Sequence, residues 1–262
     1  MTEPTILEKI TSYKKEEVSF QKERIPKESL IQTIENMAEP TRDFQCALQK
    51  ENSLSIIAEI KRASPSAGII RKDFDPTAIG KEYNNAKVDA ISILTDEKFF
   101  GGRLEYLEEI NKITSVPLLR KDFIIDEYQI YQSRVHHADA ILLIASILSP
   151  AELKSFLEIA KNIGLHSLVE CHSAQEIQKS VEAGARIIGI NNRNLETFVV
   201  DLDRFQSLRN LIPKGIAVVS ESGIRGSKDA LKMKEYQADA ILVGTSIMES
   251  DCLVSKIESL RV

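Results

Sequence analysis

From about residue 54 onward this chain alternates short β-branched runs with stretches of helical periodicity, and that alternation restricts the fold more than any other feature. The runs Ser55–Ile60, Ala90–Leu94, Pro117–Arg120, Ala140–Ile144, Ser167–Cys171, Ile187–Asn191, Ile216–Ser220 and Ala240–Val243 read as eight strands. Between them, Arg103–Ile113, Tyr128–His136, Ala151–Ile163, Ala174–Ala183 and Lys228–Tyr236 read as helices. An internal repeat runs through the series. Val88-Asp89-Ala90-Ile91, Ala138-Asp139-Ala140-Ile141 and Ala238-Asp239-Ala240-Ile241 each lead into a strand, with Gly184-Ala185-Arg186-Ile187 in the fourth place. The separations of 50, 46 and 54 residues suit two strand–helix units apiece, four pairs in a ring. The expected fold is therefore α/β, a (β/α)8 TIM barrel over 55–262. An open doubly wound sheet is the alternative, disfavoured because nothing signals a reversal of strand order.

Residues 1–54 follow another pattern. Ile6, Leu7, Ile10, Tyr13 and Val18 make one helical stripe, and Leu30, Ile31, Ile34 and Met37 a second. Phe44, Ala47 and Leu48 make a third, with Thr41 expected as its N-cap. These helices are expected to plug or cover an end of the barrel, rather than to form a separate partner-binding arm.

Composition excludes several classes of function. The net charge of −5 and dispersed basic residues leave nucleic-acid binding little to rest on. No apolar run approaches the roughly 20 residues that cross a bilayer, and no targeting segment is readable, so a cytoplasmic protein is expected. Cys46, Cys171 and Cys252 are widely spaced and odd in number, against a disulfide framework or thiolate metal site. The histidines have no metal-ligand spacing either. His136 and His137 fall at a helix end, His166 opens a strand as a core or rim residue, and His172, two beyond Glu170, can face the site but is not expected to take part in the chemistry. Neither metal nor organic cofactor is expected.

In a parallel barrel the C-terminal strand ends face the active site, and here they are polar. Glu59 and Lys61 close the first strand and, two residues apart, share one side of it. The third strand leads to Arg120-Lys121-Asp122, the fifth to Glu170-Cys171-His172, and the sixth to Asn191-Asn192-Arg193. Charges at an apolar barrel mouth are costly unless paired or employed. Ser220-Glu221-Ser222-Gly223 and Gly244-Thr245-Ser246 end the last two strands, where backbone amides of barrel enzymes often hold a phosphate. A small phosphorylated substrate is expected.

Taken in order, these segments resemble indole-3-glycerol-phosphate synthase, a barrel enzyme of tryptophan biosynthesis. The resemblance rests on Ile57–Ser66, Leu94–Gly102, Leu119–Ile124, Leu168–Glu170, Gly189–Leu195 and Ser220–Ile224, which together span the barrel. It implies a substrate, 1-(2-carboxyphenylamino)-1-deoxyribulose 5-phosphate, that closes to an indole with loss of carbon dioxide and water. It implies Lys121 as general acid at the ketone and Glu170 as general base for dehydration. Lys61 would contact the substrate carboxylate and reacting hydroxyls, leaving open which lysine serves which step. Glu59, Asn191, Glu221 and Ser222 would position the reacting groups, and Arg193 would lie near the carboxylate. Ser64, Gly223, Gly244 and Ser246 would hold the phosphate, and Phe100, Phe123, Leu142 and Ile144 would wall the aromatic ring.

Three departures from the family pattern, Ala67, Cys171 and Asn194, touch no proposed acid or base. A phosphoribosylanthranilate isomerase-like barrel is the competing enzyme, but that family places a cysteine at the first strand end, where this chain has Glu59 and Lys61. A non-catalytic barrel would have lost its rim groups. Association with other pathway enzymes is not legible.

Overall fold

The computed structural model describes residues 4–194 and 197–262. Eight parallel strands close into a barrel: β1 Ser55–Ile60, β2 Ala90–Leu94, β3 Leu118–Lys121, β4 Ala140–Ile144, β5 His166–Cys171, β6 Ile187–Asn191, β7 Ala217–Glu221 and β8 Ala240–Val243. Each strand pairs with its neighbours in sequence, and β1 closes the ring on β8 through Ser55↔Ala240 to Ala58↔Val243. The open-sheet alternative is excluded.

Strand parity sorts the side chains. Ile57, Leu119, Leu142, Leu168, Ile187, Val219 and Leu242 point inward and form one apolar core. Ile56, Ile60, Ile91, Leu143, Val169, Ile190 and Val218 point outward into a second core shared with the helices. The register is pinned by the repeat seen in the sequence. Asp89, Asp139 and Asp239 each accept the backbone N–H of a residue one strand earlier, Ile56 (2.8 Å), Leu118 (2.8 Å) and Val218 (2.7 Å). A one-residue slip would turn every inward side chain outward, so a carboxylate that fixes the start of a pair has large leverage. Arg186 takes the fourth place without such a bond.

The N-terminal helices are α1 Ile6–Arg24, α2 Lys27–Glu35 and α3 Phe44–Leu48. They engage both ends of the barrel rather than one. Phe44 and Leu48 are fully buried in the inward core and stop its N-terminal mouth. The Arg42 guanidinium clamps this end by donating to Asp139 (2.8 Å) and the Thr114 carbonyl (3.0 Å). On the barrel wall Val18 of α1 and Leu30 of α2 pack with Tyr128. At the opposite end Ile6, Leu7 and Ile10 of α1 line the cavity described below. Among the described residues no helix is long and apolar enough to cross a membrane.

Local boundaries differ in several places. Asp43, not Thr41, caps α3, accepting the Cys46 N–H at 2.8 Å, while the Thr41 hydroxyl donates to the Gly164 carbonyl. Two strands start and end one residue later than expected, so Lys121 and Glu221 belong to β3 and β7. The helix expected at Arg103–Ile113 contracts to Tyr106–Asn111. His136 caps the helix Glu127–Val135, and His137 lies beyond it with φ 62°. A short hairpin, Ala63–Ser64 with Gly68–Ile69, follows β1 and was not anticipated.

Candidate active site

Inward parity carries five polar side chains to the C-terminal mouth: Glu59 on β1, Lys121 on β3, Glu170 on β5, Asn191 on β6 and Glu221 on β7. The strands beneath them are apolar, so these groups sit on a dry floor. The Lys121 ammonium donates to Glu170 Oε2 at 2.8 Å and Glu221 Oε2 at 2.9 Å. Asn191 Nδ2 donates to Glu170 Oε1 at 3.1 Å, and Lys61 Nζ to Glu59 Oε2 at 2.6 Å. Two glycines make room. A Cβ at Gly189 would lie 2.1 Å from Glu221 Oε1, and one at Gly244 would lie 2.1 Å from Glu59 Oε2. Gly244 thus admits a carboxylate to the floor, a reason unrelated to the phosphate-holding expected of it.

Electrostatics splits the carboxylates. Burial alone would drive the Lys121 ammonium toward neutrality, but Glu170, Glu221 and Glu59 outweigh it and hold the pKa above the usual lysine value. Burial also opposes ionisation of Glu170; Lys121 and His172 overcome this and keep it well below the usual carboxylate range. Glu221 goes the other way. Burial and the nearby Glu170 charge push it up to about 7 despite Lys121. Its Oε1 is buried and has no hydrogen-bond partner among the described residues. Two acids a few ångströms apart with opposed shifts are the pattern of groups that divide proton-holding roles.

Above this floor opens a cavity of about 870 Å³. It brings together all the site residues expected from the sequence. Beside the charged floor, Phe100 and Phe123 stack obliquely (centroids 5.9 Å apart, planes at 37°), with Leu142 and Ile144 completing an apolar wall. Toward the last two strands lie Ser64, Ser222, Gly223, Gly244 and Ser246. Ser222 and Gly223 both take the left-handed conformation (φ 66° and 88°), and a Cβ at Gly223 would meet Val200 Cγ1 at 2.4 Å. A non-glycine residue in that region is strained, and such strain gathers at functional loops. The Ser246 hydroxyl is committed to the Ile224 carbonyl at 2.9 Å, which leaves backbone groups to meet a ligand there. Arg193 lines the cavity and donates to the Phe198 carbonyl at 3.1 Å. Leu195, the end of the Gly189–Leu195 motif, lies outside the described residues.

Sequence reasoning missed part of the lining. Ile6, Leu7 and Ile10 roof the apolar side, and Arg225 and Lys256 add positive charge beside the Gly223 and Ser246 loops. It also missed the full burial of Lys14, which pairs with Asp96, Asp122 and Glu17.

Known proteins match this arrangement in sequence and in fold. The family model described as indole-3-glycerol phosphate synthase matches residues 7–260. The indole-3-glycerol phosphate synthase of Alkaliphilus metalliredigens is 50% identical over 256 residues, covering 98% of both chains. That of Campylobacter jejuni is 43% identical over 247 residues, covering 94% of this chain and 96% of the other. Among solved structures, 3-hexulose-6-phosphate synthase from Salmonella typhimurium superposes with a TM-score of 0.65 at 13% identity, covering 79% of this chain and 96% of that one. At that identity the likeness speaks for the barrel fold alone. The two sequence relatives and the family model span nearly the whole chain, floor and rim included, and the chain belongs to the indole-3-glycerol phosphate synthase family.

Proposed function

We propose that the chain is a decarboxylating lyase that closes 1-(2-carboxyphenylamino)-1-deoxyribulose 5-phosphate to indole-3-glycerol phosphate, releasing carbon dioxide and water. The observation that carries this reading is the Glu170–Lys121–Glu221 array on the floor of a cavity with an apolar wall on one side and a glycine-serine rim on the other. The aromatic ring lies against Phe100, Phe123, Leu142 and Ile144. The phosphate meets the Gly223 and Gly244 to Ser246 loops, with Ser64 opposite and Arg225 and Lys256 nearby.

In the first step the ring carbon bearing the carboxylate attacks the ketone, and Lys121 donates a proton to the developing alkoxide. Loss of carbon dioxide returns its electron pair to the ring and restores aromaticity. In the second step the new hydroxyl departs with a proton from a lysine, and Glu170 takes a proton from the adjacent methylene to complete the indole. Lys61 and Arg193 face the substrate carboxylate, while Glu59, Asn191, Glu221 and Ser222 hold the reacting groups in line. The isomerase reading lacks support at its defining position. The cysteine nearest the floor, Cys171, points outward, with its Sγ 3.2 Å from Ser180 Oγ and its thiol pushed up to about 12 by burial.

The test is turnover followed by indole fluorescence, which is clean because the chain has no tryptophan. Wild type is expected to produce the signal and Glu170→Gln to lose at least about a hundredfold in kcat. A folded Glu170→Gln protein with near-normal kcat removes Glu170 from the mechanism. No product from the wild type removes the reaction.

A further inference from the structure

His172 stands directly behind Glu170 and outside the cavity lining. It follows β5 by one residue and has the parity of Leu168 and Glu170, so its ring returns toward the barrel axis. The residue is only 9% exposed. Its Nε2 lies 3.5 Å from Glu170 Oε1 and its Nδ1 lies 3.5 Å from Glu176 Oε2. Neither ring nitrogen has a hydrogen-bond partner among the described residues, an unusual state for buried polar atoms.

The surroundings explain what such a ring is for. Glu176, in the first turn of the helix Ala174–Glu182, accepts the His172 backbone N–H at 2.7 Å and the Ser173 hydroxyl at 3.1 Å, so its carboxylate is fixed. From the helix Asp203–Arg209, the Arg204 guanidinium donates to the His172 carbonyl and secures the same backbone from the other side. A neutral imidazole between two carboxylates would aim a lone pair at one of them. An imidazolium can donate to both after an approach of a few tenths of an ångström. Charge on the floor favours the same state, since Glu59 pairs with Lys61 while Glu170 and Glu221 share the one ammonium of Lys121 among the described residues.

We infer that His172, oriented by Glu176, is a positioning residue that as an imidazolium keeps the Glu170 carboxylate ionised and turned toward the substrate. This rests on the reading of Glu170 as base. The other charged groups that bear on the ring are Glu221 from β7 and, beyond Glu170, Lys121 from β3. Burial works against the imidazolium, but Glu176, Glu170 and Glu221 outweigh it and hold its pKa above the ordinary histidine value. The consequence is a dependence on pH. As the first proton enters the Glu170–Glu221 pair, the neighbouring positive charge resists it, so activity persists to lower pH than the pair alone would permit.

The experiment compares kcat between pH 5 and 9 for wild type, His172→Asn and Glu176→Gln. Removing the charge should move the acidic limb upward, with a roughly three- to tenfold loss near pH 6 that vanishes toward pH 9. Glu176→Gln should move it the same way by less, and KM should hold because His172 does not reach the cavity. A direct readout accompanies these. The chain has only four histidines, so the imidazole resonances of labelled free protein can be assigned by variants and titrated. His172 should titrate above the ordinary range in wild type and lower in Glu176→Gln. A folded His172→Asn enzyme with an unmoved limb, or a His172 resonance titrating at or below the ordinary value, overturns the inference. If Glu170→Gln keeps its turnover, the proposed base fails first, and that outcome is distinct from a failure at His172.

Discussion

Two lysines of this barrel, the fully buried Lys14 and the partly buried Lys121, are bound by carboxylates at nearly the same distances yet sit in opposite kinds of site. Lys14, on α1, contacts Glu17 at 2.9 Å and Asp96 and Asp122 at 3.0 Å, with no side-chain exposure. Asp122 also takes Arg120 at 3.0 Å and the Thr95 hydroxyl at 2.6 Å. Lys14 and Asp122 are each driven further into the charged form: Lys14 is raised and Asp122 lowered, burial notwithstanding. Around Lys121 the balance fails. Glu170 is lowered, Glu221 is raised, and Glu221 leaves one oxygen without a partner beneath an open cavity. In the first cluster each oxygen of the buried Asp96 and Asp122 meets a donor or a cation, Asp96 Oδ2 through its 3.0 Å ion pair with Lys14 alone; a cluster so paired is a joint, here fastening α1 to the loops after β2 and β3. An unsaturated one is poised to exchange a proton with something that enters. Burial and pairing do not tell the two apart, but unmet capacity does.

Replacing each lysine by methionine should therefore damage different properties. Lys121→Met keeps the stem and much of the packing. It is expected to lower kcat by about 10²–10⁴ with a much smaller effect on KM, because the proposed mechanism uses this ammonium in the transition state. Kinetics and thermal melting on the same preparation check this. If the variant melts far below wild type while a residual folded fraction turns over normally, Lys121 is a second joint and the contrast is void.

Lys14→Met should do the reverse. Removing the ammonium strands Asp96 without a cation and leaves Asp122 to Arg120 alone, at a cost of about 3–5 kcal/mol, which for a chain of this size is a fall in Tm of roughly 6–15 °C. At 25 °C the folded variant should keep kcat within a few-fold. Some rise in KM is expected, since Ile6, Leu7 and Ile10 of the same helix line the cavity. Unchanged stability with lost kcat would move Lys14 into the chemistry.

The contrast also shows what a sequence discloses. The charged floor was legible because β-strand period and barrel geometry act together: a polar residue ending an apolar strand has one place to go. The placement of Lys121, Glu170 and Glu221 follows from that rule, and the chemistry proposed for them comes from the family motifs. Lys14 was passed over although a signal was present. It lies four residues after Ile10 and four before Val18, inside the apolar stripe of α1, where a charge must find buried partners. Those partners, Asp96 and Asp122, are distant in sequence and no local pattern names them. The role of Thr41 was misread for a related reason, since its hydroxyl bonds to Gly164, 123 residues away, while Asp43 does the local capping. His172 looked ordinary because its meaning depends on Glu176, one helical turn onward, closing a contact that exists only once β5 and its helix are folded.

The smallest expected effect is the most diagnostic, because it asks stability rather than rate to separate the clusters. Glu221 has a folded pKa of about 7 against an ordinary 4.5, so between those values the folded protein holds a proton that the unfolded chain has lost. Its contribution to stability is fully present below about pH 4.5 and is lost as pH rises through about 7. Glu221→Gln mimics the protonated acid, with an amide that can still accept from Lys121 and donate toward Glu170. The variant should match wild type near pH 5 and exceed it near pH 8, by on the order of 2 kcal/mol, while its activity falls. Asp122 has the opposite sign. Its folded pKa lies below the ordinary value, so its contribution is present above that value and fades only in acid. Asp122→Asn should accordingly be less stable than wild type at both pH 5 and pH 8. Denaturant unfolding of both variants at both pH values is sufficient. Equal losses from the two substitutions at pH 8 would mean that the Lys121 cluster is as satisfied as the Lys14 cluster, and the distinction between joint and active site would have to rest on something other than charge.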